Sequence, residues 1–213
     1  MKCFLFDFDG TLVDSMPTYV ETMLKILDDY GIPYGDDLVK IITPLGTEKT
    51  ADYFVKLGVP LTREQIFLRM GEGMIEAYTH HIPAKEHVAS ALKALKEKGC
   101  DLNVLTASPH LTLDPCLKRL GLFDLFHHVW SCDDFRTSKA DPTIYTRAAE
   151  IMGFPVNEVL FLDDNPTANA TAKAAGMKVC GVFDPSSADY REEMIRDCDY
   201  YLDDFSTLPD LAD

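Results

Sequence analysis

From Pro83 to the end of the chain, short apolar strands alternate with amphipathic helices, and few architectures accept that rhythm. Val88, Leu92 and Leu95 recur at helical spacing, and the run ends at Gly99. Leu102 to Leu105 reads as a strand. Asp141 and Pro142 form a helix start ahead of Ile144, Ala148 and Ile151, and Gly153 stops it. Val159 to Leu162 is the next strand, followed by an alanine-rich helix closed by Gly176 and a strand from Met177 to Val182. Parallel neighbours need crossover connections, and helical crossovers cover both faces of the sheet. The pattern therefore predicts an α/β fold, a three-layer α/β/α sandwich around a parallel sheet.

One strand stands apart from this series. Lys2 to Phe6 is apolar enough to be buried, yet residues 16–82 follow it with helical patterns alone. Val20, Met23, Leu24 and Leu27 make one stripe, which stops near Gly31. Thr62 and Gln65 have capping-box spacing ahead of Ile66, Phe67, Met70, Met74 and Tyr78. Such a block reads as an all-helical domain inserted between the first strand and the rest, with residues 1–15 and 83–213 forming the α/β core. Pro115 interrupts the stripe over 111–120, so that helix either starts late with Asp114 as its cap or kinks. The tail from Leu202 to Asp213, acidic with a few apolar anchors, is expected on the surface.

Charge narrows the classes of partner. Acidic residues outnumber basic ones 35 to 20, a net charge of −15, which disfavours nucleic acid and anionic membrane surfaces. No apolar run approaches the ~20 residues of a membrane span, and Asp7 interrupts any secretory leader. Cys3, Cys100, Cys116, Cys132, Cys180 and Cys198 lack the spacing of a zinc site or disulfide framework, so reduced thiols in a cytoplasmic protein are expected. A monomer is the default.

In open parallel sheets, ligands bind beyond the carboxyl ends of the strands. The first strand delivers Asp7 and Asp9, which face one side of an extended chain and so require a cation or shared proton between them. That suits a hard divalent metal, or a nucleophile working beside a general acid. The second delivers Thr106, Ala107 and Ser108, and the strand from Val159 delivers Asp163, Asp164 and Asn165. Lys139 precedes the Asp141-Pro142 helix start. Taken singly, Thr106 reads as a strand-end cap, Lys139 as a surface lysine and Asp163-Asp164-Asn165-Pro166 as a turn into a helix. Their arrival at one edge favours a shared site.

The ordered set Asp7-Phe8-Asp9-Gly10-Thr11-Leu12-Val13-Asp14-Ser15, Thr106, Lys139 and Asp163-Asp164 resembles the four motifs of the haloacid dehalogenase-like superfamily. The helical insert after the first motif is similar to the cap of the subfamily containing phosphoglycolate phosphatases and β-phosphoglucomutases. The resemblance implies a Rossmann-like core and a Mg²⁺-dependent phosphatase acting on a small phosphorylated metabolite. It further implies that Asp7 is the nucleophile that becomes an aspartyl-phosphate, and that Asp9 is the acid and base. Asp7, the Asp9 backbone carbonyl and Asp164 would hold Mg²⁺, with Asp163 a further candidate ligand. Thr106 and the backbone N–H of Ala107 would hold phosphate oxygens, and Lys139 would offset the gathered negative charge.

The sequence departs from the family pattern in three places: Ala140 follows Lys139 where proline is frequent, Asp163 replaces glycine or glutamate, and Ala168 stands where an acid or Asn is common. An acid at Asp9 argues against dehalogenation and phosphonate hydrolysis, which dispense with it. A sugar phosphomutase needs the same acid and stays open, as does, remotely, a binding protein on the same fold. Cap candidates for contacting substrate are Pro44-Leu45-Gly46-Thr47, Lys40, Lys49, Arg63, Arg69, His80 and His81, with Lys49 or Arg69 favoured to face a cleft. The block carries six basic against ten acidic residues, so it has no strongly basic surface.

Overall fold

A computed structural model describes residues 1–35, 37–42 and 45–212. The chain divides into two compact units, residues 1–14 with 83–213, and residues 15–82. Ser15 falls in the second.

The first unit holds a six-stranded parallel sheet of β1 (Cys3–Phe6), β2 (Asp101–Thr106), β3 (His128–Ser131), β4 (Val159–Asp163), β5 (Lys178–Val182) and β6 (Tyr200–Leu202). Its order is β3-β2-β1-β4-β5-β6, so the winding reverses between β1 and β4. This is the topological switch point at which such sheets open a crevice. Register sets what stands there. Phe6 pairs with Leu162, and Asp7 N–H continues the ladder to the Leu162 carbonyl at 2.8 Å. Asp7 and Asp163 thus leave neighbouring strands at the same level.

Six helices accompany the sheet: α5 (Val88–Glu97), α6 (His110–Arg119), α7 (Cys132–Phe135), α8 (Thr143–Met152), α9 (Pro166–Ala174) and α10 (Arg191–Asp197). One buried cluster joins Leu5, Leu105, Phe161 and Val179 to Ile144, Tyr145 and Ala148 of α8 and Ala172 of α9. Tyr145 fits this apolar layer because its hydroxyl donates to the Lys139 and Ala168 carbonyls.

In the second unit, the regular elements among the described residues are helices: α1 (Met16–Asp29), α2 (Leu38–Ile42), α3 (Gly46–Lys56) and α4 (Arg63–His80). Its core gathers Met23, Ile26, Leu27, Leu38, Ile42, Phe54, Ile66 and Met70. Thr62 and Gln65 make both reciprocal bonds of the capping box, at 3.2 and 2.9 Å.

Several expectations change on contact with the structure. β3 and β6 carry no apolar run; β3 is a half-buried edge strand and β6 has only three residues. Helix α6 starts at His110 and continues through Pro115. The ring forfeits a single bond, to the carbonyl of exposed Leu111, where water can substitute. On α8 the inward residue is Met152 and Ile151 is exposed; on α4, Phe67 is exposed while Ile66 and Met70 are buried. The C-terminal tail lies at the surface on apolar anchors. It forms a 3₁₀ run over Phe205–Ala212 that buries Phe205, Leu208 and Ala212, and the Leu211 carbonyl accepts from the N-terminal ammonium at 2.8 Å. Burial of three apolar anchors outweighs the solvation its acids prefer. Among the described residues no helix is long and apolar enough to cross a membrane.

Candidate active site

Carboxylates meet at the switch point. One oxygen from each of Asp7, Asp163 and Asp164 lies within 4.8 Å of the others. Lys139 enters from the segment before α8, its ammonium 2.5 Å from Asp7 Oδ1 and 2.8 Å from Asp163 Oδ2. That ammonium also lies 5.5 Å from the centre of the Phe161 ring, a cation–π distance. Three acids and one base leave the cluster short of positive charge.

The titrations follow that imbalance. Burial pushes the Asp163 carboxyl up, Asp7 adds to the shift, and Lys139 and the Asn165 N–H oppose it. Asp164 is raised well above the ordinary carboxylate range, by burial first and then by Asp163 and Asp7, with the Thr11 hydroxyl pulling the other way. Burial alone would lower the Lys139 pKa, but Asp163 and Asp7 reverse that and keep it charged.

The donor set fits a divalent cation. Asp7 Oδ1 is buried, and among the described residues no hydrogen-bond donor lies in line with it, although the Lys139 ammonium is adjacent. Mg²⁺ prefers carboxylate and water oxygens at about 2.0–2.1 Å, so oxygens within 4.8 Å of each other are spaced for one ion. Asp163 is the poorest ligand of the three, since Lys139 occupies its Oδ2 and the Asn165 N–H its Oδ1, at 2.7 Å. Asp7 and Asp164 remain as the stronger donors.

Asp164 is held by the loop after β1. Thr11 Oγ1 accepts from the Asp164 N–H at 3.1 Å and donates to Asp164 Oδ1 at 2.9 Å. Gly10 makes this approach feasible. Its φ is +68°, and a Cβ there would stand 2.5 Å from Asp164 Oδ2. Asn165 caps α9 by accepting from the Thr167 and Ala168 N–H groups, so the Asp163-Asp164 turn is also the start of a helix.

Asp9 takes a different partner: Ser108 Oγ donates to its Oδ2 at 2.5 Å. Thr106, fully buried at the end of β2, accepts from the Ser108 N–H at 3.1 Å, the strand-end turn that a lone threonine suggests. Ala107 is exposed between them. Thr106, Ala107 and Ser108 therefore make a tight turn whose hydroxyl reaches the Asp9 carboxylate. Ser108 and Thr11 were within view in the sequence without a role. Their signal was adjacency to Thr106 and Gly10, and the bonds they make are tertiary.

Four of the cap-region candidates meet acidic neighbours within their own unit. Arg63 pairs with Asp52 at 2.8 Å and Glu48 at 3.1 Å. Arg69 lies 3.8 Å from Asp29 and over the Tyr30 ring. His80 and His81 both approach Glu76, and Lys49 is exposed. Pro44 and the Lys40 and Gly46 side-chain positions lie outside the described residues. The cysteines offer no rival nucleophile: all six are free, and burial pushes Cys3 up to about 12 and Cys116 to about 11.

Known proteins resemble this chain in sequence and in fold. The family model of haloacid dehalogenase-like hydrolases matches residues 1–176. The phosphorylated carbohydrates phosphatase of Thermotoga maritima is 26% identical over 179 residues, covering 84% of this chain and 83% of that protein. The phosphoglycolate phosphatase of Escherichia coli O157:H7 is 29% identical, covering 83% of this chain and 79% of that protein. A subfamily IA hydrolase of the same superfamily from Geobacter sulfurreducens superposes with a TM-score of 0.82 at 20% identity, covering 100% of this chain and 97% of that one. At that identity the superposition speaks for the fold.

Proposed function

This chain belongs to the haloacid dehalogenase-like hydrolase family, and on that premise we propose that it is a Mg²⁺-dependent phosphatase of small phosphorylated metabolites. The observation that carries the reading is the charge-deficient Asp7-Lys139-Asp163-Asp164 cluster at the switch point, with the Asp9-Ser108 pair at the end of the neighbouring strand. Relatives named for phosphorylated carbohydrates and phosphoglycolate support small phosphomonoesters as the substrate class.

The Asp7 carboxylate attacks phosphorus in line. Its oxygen–phosphorus bond forms as the ester oxygen–phosphorus bond breaks, giving an aspartyl-phosphate. Asp9, oriented by the Ser108 hydroxyl, gives its proton to the leaving oxygen. It then takes a proton from the water that attacks phosphorus, which frees Asp7 and inorganic phosphate. Lys139 balances part of the charge on Asp7 and the phosphoryl group throughout. The Thr106 hydroxyl and Ala107 N–H receive phosphoryl oxygens. Asp7 and Asp164, with the Asp9 carbonyl, would hold Mg²⁺, which neutralises phosphoryl charge when bound. Residues 15–82 serve as the cap that selects the leaving group, and Lys49 or Arg69 contacts it. Six free thiols suit a reducing cytoplasm.

Phosphate release across a panel of phosphorylated sugars and small acids, with Mg²⁺ and after chelation, tests the reading. Asp7→Asn is expected to lower turnover by about 10³-fold or more at unchanged fold. A wild-type protein inert on the whole panel with Mg²⁺ present would overturn the phosphatase assignment.

A further inference from the structure

Lys85 lies just beyond the point where the chain re-enters the first unit, and no sequence motif marks it. The segments there run side by side: Val13 bridges Ala84, the Asp14 N–H reaches the Pro83 carbonyl at 3.0 Å, and the Lys85 N–H reaches the Leu12 carbonyl at 3.0 Å. The Lys85 side chain then turns inward. Its ammonium donates to the Gly10 carbonyl at 2.6 Å, the Phe183 carbonyl at 2.5 Å and Asp184 Oδ2 at 3.0 Å. Three protons meet three acceptors, so the ammonium is fully committed. Asp184 is itself fixed at the start of a 3₁₀ turn, where its Oδ1 accepts from the Ser186 N–H and hydroxyl.

The Gly10 carbonyl matters because of what shares its peptide plane. A planar peptide fixes the Gly10 oxygen and the Thr11 nitrogen together, and Thr11 is the residue whose hydroxyl bonds both the N–H and the carboxylate of Asp164. Gly10 sits in the left-handed region, and a Cβ there would run into that carboxylate. Nothing intrinsic to glycine selects that conformation, since glycine samples many. The Gly10 N–H bond to the Val13 carbonyl at 3.0 Å and the Lys85 tie on the Gly10 carbonyl hold it there together.

We propose that Lys85 is a positioning residue for the metal site: by anchoring the Gly10 carbonyl to the exit of β5, it sets Thr11 and through it the Asp164 carboxylate. The inference rests on the Mg²⁺ site proposed above. Groups that orient metal ligands from behind typically change affinity by about 10- to 100-fold when removed.

Isothermal titration of the chelated, purified protein with MgCl₂ provides the readout, independent of turnover. Lys85→Met is expected to raise the Mg²⁺ dissociation constant by about 10- to 100-fold. It also leaves Asp184 buried without its cation, which threatens folding. Lys85→Met/Asp184→Asn removes that buried charge together with the Gly10 tie, so it should melt near the wild type and still bind Mg²⁺ about 10-fold or more weakly. Asp184→Asn alone keeps the tie and should bind within about twofold of wild type. Wild-type affinity in the double variant would overturn the role of Lys85. An equal loss in Asp184→Asn alone would overturn it too, by tracing the effect to the charge of Asp184. A wild-type protein that fails to bind Mg²⁺ would instead defeat the metal site itself, an outcome distinct from either.

Discussion

Two lysine-centred knots lie along one edge of the sheet, and they are balanced differently. At the exit of β5, one ammonium meets two carbonyls and a single carboxylate, so charge cancels and every donor has an acceptor. At the exits of β1 and β4, one ammonium faces Asp7 and Asp163 with Asp164 close by, and negative charge is left over. A balanced knot holds chain segments in place. An unbalanced one costs stability by itself and is worth keeping where a cation and a phosphoryl group complete it.

The contrast can be broken most sharply at Asp164, which has a raised pKa and is held by the Thr11 hydroxyl. Asp164→Asn is expected to weaken Mg²⁺ binding by about 100-fold while raising the melting temperature of the metal-free protein by a few degrees. A carboxyl whose folded pKa lies above its unfolded value binds more protons when folded. The metal-free wild type should therefore lose stability as pH rises from the ordinary carboxylate value of about 4 toward the raised one, and the variant should lose less. Melting curves in chelator between pH 5 and 8 decide it. A lower melting temperature for Asp164→Asn would contradict an excess of negative charge.

Gly10 belongs to both knots, since its carbonyl meets Lys85 and Asp164 fills the space a Cβ would take. Gly10→Ala places a methyl where the Asp164 oxygen stands and forces a non-glycine residue to φ +68°. Strain in the left-handed region alone costs about 1–2 kcal/mol, and Mg²⁺ binding is expected to fall with it. Denaturant melts with and without Mg²⁺ separate the two losses. Equal stability and affinity to wild type would show that the loop gives way freely.

A third ionic cluster gives the smallest effect. His110 on α6 lies 2.8 Å from Asp114 and 2.9 Å from Asp134, and those two carboxylates raise its pKa above 6.5. Its contribution is present in full below the unfolded value and fades as pH rises through the folded one. The ring is half exposed, so the worth is about 0.5 kcal/mol. His110→Asn should melt lower than wild type at pH 6 and match it at pH 9.

The fold was legible where burial repeats along the chain. β1, β2, β4 and β5 are runs buried on both faces, and α1, α5 and α8 carry one apolar stripe each. β3 and β6 escaped notice because an edge strand needs partners more than it needs apolar residues. Ile151 and Phe67 misled because helical spacing admits two adjacent faces, and only packing chooses between them.

What the amino-acid order determined alone is the alternation of elements and the acids, hydroxyl and lysine that end or precede them, since strand and helix periods are local properties of a chain. Tertiary structure decided the partners. Ser108 meets Asp9 across 99 positions, Thr11 meets Asp164 across 153, and Lys85 meets Phe183 across 98. Bonds of that reach depend on strand order and register, and these are set by how whole layers bury their apolar faces.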